Sequence, residues 1–180
     1  MNNQLETNHY LYLPEFISIK RALALSDALT LHHQIQSLKP DRQVVGSAAI
    51  HDYLPFVRLL VEKIPTVEAV CEEQVLPTYA YARLYGHGDT LAPHQDRDAC
   101  EVSLSLNLDG DEDWPFWLKK PDGTDITVHL NPGDAVMYLG CATTHWREAF
   151  AGTHCNQVFL HYVFSYGKKS NAYFDKKRRW

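Results

Sequence analysis

From Pro77 onward the chain is cut into short stretches of alternating residues, separated by turns of Gly, Pro, Asp and Asn. "TYAYARLY" alternates and is rich in aromatics, and "GHGD" ends it. "CEVSLSLNL" runs into the turn "DGDED". "WPFWLKKPDGTDITVHLNPGDAVMYLG" holds three more stretches, split at "PDG" and "NPGD". "THWREAF" and "THCNQVFLHYVFSYG" supply the last two. A period of two with β-branched and aromatic residues reads as strand, and Gly, Pro and Asp at the breaks supply the turn conformations. Many short strands at close spacing predict an antiparallel sandwich or barrel.

The first part has a different period. "LPEFISIKRALALSDALTLHHQIQSL" carries Ile19, Leu23, Leu25, Leu29, Leu31 and Ile35 at helical spacing, with Pro40 to stop it. "DYLPFVRLLVEKI" predicts a second helix, with Asp52 as N-cap and Pro65 just past its end. "TVEAVCEEQVL" predicts a third, with Thr66 available as its cap and Glu68 in the first turn, where a negative charge suits the helix dipole. No repeat, linker or low-complexity segment divides the 180 residues, so one domain is expected.

At 45% hydrophobic residues the chain can bury a sizeable core. No apolar run approaches the ~20 residues of a membrane span, and the N-terminus lacks a basic start followed by an apolar stretch, so neither membrane nor secretory signal is expected. Cys71, Cys100, Cys141 and Cys155 are widely spaced, which fits reduced thiols in a cytoplasmic protein better than a disulfide framework or zinc ribbon. The net charge of −5 is uneven: six Lys and Arg against Asp175 leave +5 on the last 13 residues and −10 on the rest. The acidic body argues against nucleic acid as a partner, and the basic end reads as a solvated terminus.

Ten histidines leave the chemistry open until their neighbours are considered. In "LAPHQD", His94 and Asp96 stand one residue apart, so extended backbone points both the same way. An imidazole and a carboxylate converging on one point suit a metal, although H-x-D alone is a weak signal and equally describes a polar loop. Two His and one carboxylate on one face of Fe(II) leave positions open for substrate and oxygen. A third ligand should come from a late strand beside the first. His145, delivered by the turn and apolar strand "NPGDAVMYLG", is the best candidate.

At these residues the sequence resembles the Fe(II)- and 2-oxoglutarate-dependent oxygenases, in their prolyl 4-hydroxylase-like branch. The pieces that carry the resemblance are "RLYGHGDTLAPHQD", "NPGDAVMYLG", "HWREAFAG" and "QVFLHYV", within Thr78 to Gly167, and the helical "LPEFIS" start is similar too. The resemblance implies an α+β, mainly β fold: a double-stranded β-helix (jelly roll) core over 77–167, helical support over 1–76 and a basic tail over 168–180. It implies His94, Asp96 and His145 as iron ligands, and Fe(II), 2-oxoglutarate and O2 as cofactor and co-reactants, with ascorbate a further candidate. The implied reaction hydroxylates a C–H bond of a prolyl or other peptide residue, or of a small amino-acid-like molecule, and releases succinate and CO2. Tyr85 falls where the branch often has a tyrosine that binds 2-oxoglutarate. Tyr81, Arg83 and Tyr85 share a strand face, and an arginine there needs a carboxylate, from a ligand or from Glu101.

One position departs from the family. An Arg or Lys is expected nine to twelve residues after the distal His, where it anchors the far carboxylate of 2-oxoglutarate. Here those positions hold His154, Cys155, Asn156 and Gln157. Arg147, on the same strand face as His145, and His154 are equal candidates for the anchor, with Arg97 a third. Two other readings stay open: a cupin-type metal protein that uses no 2-oxo acid, and a binding module without catalysis. Oligomeric state is not legible.

Overall fold

The computed structural model describes residues 1–175. Among them ten strands follow in chain order: β1 (Tyr10–Leu13), β2 (Ala48–His51), β3 (Val75–Gly86), β4 (Leu91–His94), β5 (Val102–Gly110), β6 (Phe116–Lys119), β7 (Asp125–Val128), β8 (Ala135–Tyr138), β9 (His145–Arg147) and β10 (His154–Phe164). They form an antiparallel six-stranded sheet, β1-β8-β5-β10-β3-β2, and an antiparallel four-stranded sheet, β4-β9-β6-β7. From β3 on, the chain passes back and forth between the sheets, which is the winding of a double-stranded β-helix.

The large sheet is buried on both sides, and the alternation along its strands decides what each side does. In β5, Leu104, Leu106 and Leu108 join Val158, Leu160 and Tyr162 of β10 and Ala80 and Ala82 of β3 in the main apolar core. This face packs against the helices α1 (Asn3–Asn8), α2 (Ile19–Gln36), α3 (Leu54–Glu62) and α4 (Ile64–Cys71). The Tyr162 hydroxyl donates to the Leu60 carbonyl of α3 at 2.8 Å. The opposite face carries Ser103, Ser105, Asn107, Gln157 and His161, all buried and all looking into the space between the sheets. Burying that many polar groups is tolerable because they bond to one another: Gln157 Nε2 donates to Asn107 Oδ1 at 3.0 Å.

Several expectations about the first part are corrected. In α2 the buried residues are Ala22, Ser26 and Leu29, whereas Ile19, Leu23, Leu31 and Ile35 are exposed. Small side chains let the helix lie close to the sheet, where Ser26 Oγ accepts from Asn156 Nδ2 of β10 at 2.8 Å. Asp52 does not cap α3. It sits at φ 53°, accepts from the Ala80 backbone N–H at 3.1 Å, and leaves the cap position to Tyr53. Pro65 opens α4 rather than closing α3, which puts Thr66 inside the first turn. The segment 1–76 is not only helical, since β1 pairs with β8 and β2 with β3 in the main sheet.

Among the described residues no helix is long and apolar enough to cross a membrane, and all four cysteines are free thiols. Of the basic end, Lys169 lies 3.7 Å from Asp98 and 3.9 Å from Glu101. Lys176, Lys177, Arg178 and Arg179 lie outside the described residues.

Candidate metal centre

Sheet register brings the first two candidates together. His94 closes β4, His145 opens β9, and they are cross-strand partners with ring centroids 4.3 Å apart. Asp96 lies just past the end of β4, in a turn held by its backbone N–H donating to the Gly140 carbonyl at 2.9 Å. Its Oδ1 is 3.7 Å from His94 Nε2 and 3.6 Å from His145 Nε2. The three ligand atoms all lie within 4.8 Å of one another.

Hydrogen bonds around them set the chemistry of each. His94 Nδ1 is 2.9 Å from the Ala92 carbonyl, and His145 Nδ1 is 3.0 Å from the Thr143 carbonyl. A carbonyl only accepts, so each Nδ1 carries the proton and each Nε2 keeps its lone pair turned inward. Burial pushes the His145 pKa below its ordinary value, with Asp96 acting against that shift, so the imidazole is neutral as a ligand must be. Asp96 Oδ2 accepts from the Ser103 hydroxyl at 2.9 Å, which leaves Oδ1 as the inward oxygen. Ser103 also meets His161 Nδ1 at 2.9 Å. A Cβ on Gly140 would collide with the Asp96 carboxylate and the Cys100 carbonyl, so the turn needs glycine there. This donor set, two neutral imidazoles and one carboxylate on one side, fits a divalent iron with open positions.

A cavity of about 410 Å³ opens beside the three atoms, walled by Tyr79, Tyr81, Arg83, Tyr85, Phe159 and His161. Tyr85 is 3% exposed, and burial pushes its pKa up to about 12 although Arg83 and Arg147 both pull it down. Arg83 is buried, and its carboxylate partner in the chain is not Glu101, one of the candidates, which instead accepts from the Phe164 backbone N–H. The partner is Asp41, from the loop between α2 and β2, which takes Arg83 Nη1 at 3.0 Å and Nη2 at 2.8 Å. Burial works upward on Asp41, yet hydrogen bonds from Arg83, Tyr81 and the Val44 backbone bring its pKa down to about 2.

Neither candidate for the missing cation lines the cavity, and the two stand in different surroundings. His154 has the wrong parity on β10. It shares the helix-side face with Asn156 and Val158, its side chain is 51% exposed, and it lies between Asp109 and Asp111, so it does not join the cavity. Arg147 is 2% exposed and enclosed between the sheets. Its guanidinium lies over the rings of Trp114 at 4.7 Å and Phe116 at 5.1 Å, donates to the Trp114 carbonyl, and reaches Gln157 Oε1 of β10 at 3.4 Å. Nε has no partner, and among the described residues no carboxylate lies within ion-pair distance. Burial lowers its pKa, the direction expected of a desolvated charge. Arg97 lines the cavity mouth and is paired with Asp175 at 2.6 and 2.9 Å.

Sequence reasoning missed Asp41, Gln43, Ser103, Gly140 and His161. The first two stand in a loop forty or more residues from anything they touch in the site, so no local spacing marks them. Ser103 and His161 were visible as members of alternating strands, but which face looked inward was not.

No protein-family model matches the chain, and no curated protein matches it. Solved structures do. A prolyl-4-hydroxylase of Pseudomonas putida is 17% identical with a TM-score of 0.74, over 90% of this chain and 96% of that one. HygX of Streptomyces hygroscopicus, solved with nickel and 2-oxoglutarate bound, is 14% identical with a TM-score of 0.68, over 92% and 86%. A prolyl hydroxylase in complex with a hypoxia inducible factor peptide fragment from Trichoplax adhaerens is 16% identical with a TM-score of 0.70, over 91% and 87%. The protein shares their fold.

Proposed function

We propose that this double-stranded β-helix protein is an Fe(II)- and 2-oxoglutarate-dependent oxygenase. The observation that carries the reading is the convergence of His94 Nε2, Asp96 Oδ1 and His145 Nε2, with each residue's other polar atom held by a hydrogen bond, donated by the two Nδ1 atoms and accepted by Asp96 Oδ2. Proteins of this fold that are solved with a metal and 2-oxoglutarate bound support the choice of co-reactants. Iron bound there supplies the oxidation, in which O2 and 2-oxoglutarate give succinate, CO2 and a substrate hydroxylated at a C–H bond.

The rest is the work of the chain's own residues. His94, Asp96 and His145 hold the metal from one side and leave the cavity side open. Tyr85 and Arg147 take the far carboxylate of 2-oxoglutarate. Arg147 is a buried cation with no carboxylate within ion-pair distance among the described residues, and a guanidinium grips a carboxylate at two points. Trp114, buried between Tyr85 and Phe150, keeps water from that end. The primary substrate enters along Tyr79, Tyr81 and Phe159. This aromatic wall suits a prolyl or other peptide residue, or a small amino-acid-like molecule.

The test is an anaerobic titration of the Fe(II)-loaded protein with 2-oxoglutarate, read by the weak visible charge-transfer band of the chelate. A saturable band that His94→Ala abolishes is the expected result. Iron bound with no band at saturating 2-oxo acid would refute the oxygenase reading and leave a metal-binding jelly roll of another kind.

A further inference from the structure

Gln43 stands in the same loop as Asp41, before β2, and its side chain bridges two groups of the site. One end meets Arg83 Nη2 at 3.0 Å and the other meets His94 Nε2 at 3.0 Å. The amide cannot be turned around. A guanidinium only donates, so the oxygen of Gln43 faces Arg83. The NH2 therefore faces His94, whose Nδ1 already gives its proton to the Ala92 carbonyl. The acceptor of the Gln43 N–H is the Nε2 lone pair, and that is the lone pair a metal needs.

The loop is fixed so as to hold Gln43 there. Asp41 accepts from the backbone N–H of Gln43 at 2.9 Å and of Val44 at 3.1 Å, from both terminal nitrogens of Arg83, and from the Tyr81 hydroxyl. Arg83 is 1% exposed and cannot easily swing away. The chain of contacts runs from Asp41 to Arg83 to Gln43 to His94, and every donor and acceptor in it is determined.

We propose that Gln43 is a fourth member of the metal site: the Asp41–Arg83 pair presents its amide N–H to the metal-facing nitrogen of His94, and a metal ion binds by displacing that hydrogen bond. Gln43 thereby sets metal affinity without being a ligand, and Asp41 and Arg83 are positioning residues that act through it. The inference rests on the reading of His94 as a ligand.

The probe is Ni(II), titrated into the full chain and followed by calorimetry. Gln43→Leu and Gln43→Ala each remove the competing donor, and each should bind Ni(II) roughly fivefold more tightly than the wild type, the worth of one ordinary hydrogen bond. Asp41→Asn should change Ni(II) affinity by a different factor in the wild-type and Gln43→Leu backgrounds, because it acts through Gln43. Equal affinities in wild type and both Gln43 variants overturn the competition, and weaker binding in the variants makes Gln43 a ligand or support instead. Additive behaviour in the cycle overturns the role of Asp41. His94→Ala separates the two readings: if it binds Ni(II) as the wild type does, the metal centre itself is misplaced and the inference falls with it.

Discussion

Replacing Arg147 with Met separates function from stability in a way few other substitutions here would. Methionine keeps an unbranched chain of similar reach and removes only the guanidinium. The loss side is small. The Trp114 carbonyl loses its charged donor, and the 3.4 Å contact to Gln157 is too long to add much; a hydrogen bond from a charged group is worth about 1.5–3 kcal/mol. Against that stands the burial of a charge with no carboxylate near it, which costs several kcal/mol per ion. With the guanidinium's contacts over the Trp114 and Phe116 rings also lost, the balance is a variant within about 1 kcal/mol of the wild type, or roughly 2–4 °C in Tm for a chain of this size. Binding should move the other way. Losing a two-point, charge-assisted carboxylate contact of about 3 kcal/mol weakens 2-oxoglutarate by roughly 100-fold, with metal content unchanged. Differential scanning calorimetry gives the first quantity and anaerobic titration the second. His154→Ala run beside it should leave 2-oxoglutarate affinity where it was, since that side chain is half exposed and outside the cavity. A fall of several degrees in Tm with 2-oxoglutarate affinity unchanged would refute the reasoning and make Arg147 a strut between the sheets.

Two further outcomes are expected. Gly140→Ala should fold but weaken metal binding at least tenfold, because a methyl there drives the Asp96 carboxylate off its position; wild-type affinity in that variant would mean the turn yields freely. His161 should make the metal-free protein acid-sensitive, because burial lowers its pKa from 6.5 to about 4. Between those values the unfolded chain takes up a proton that the folded one refuses. Stability is therefore full above about pH 6.5, drops by up to about 3 kcal/mol on the way to pH 4, and levels off below. Urea unfolding in EDTA at several pH values should show this slope in the wild type and a shallower one in His161→Gln.

The strand half of the fold was legible because β-structure is written locally: a period of two bounded by Gly, Pro and Asp. β3, β5, β6, β7, β8, β9 and β10 all fall where the alternation put them. β1, β2 and β4 went unread although β6, β7 and β8 are equally short; what places them is pairing with β8, β3 and β9, much further along the chain. α2, α3 and α4 were found and α1 was not, and the buried face of α2 was misread, because it approaches the sheet through Ala22 and Ser26 and turns larger apolar residues outward. In the site, His94, Asp96 and His145 announced themselves by residue type and strand order. Arg147 and His154 stayed tied until backbone parity on β9 and β10 pointed one inward and the other outward. Asp41 and Gln43 required the fold itself, since a loop before β2 reaches the end of β4 only in three dimensions.

The central sheet, with leucines on one side and serines, Asn107, Gln157 and His161 on the other, has a consequence for how such a protein can change. A side chain on the inner side faces the cavity and the opposite sheet, while its immediate neighbours along the strand join the core beneath the helices. The inner set can therefore be rewritten without disturbing the packing beneath the helices, provided that hydrogen-bonded partners such as Asn107 and Gln157 change together. Within 79–85 of β3, 103–107 of β5 and 155–161 of β10, the odd-numbered places make the inner side and the even-numbered places carry the packing beneath the helices. The exception is any insertion or deletion within these strands. A shift of one residue would exchange the two sides at once, placing serines beneath the helices and leucines around His94, Asp96 and His145.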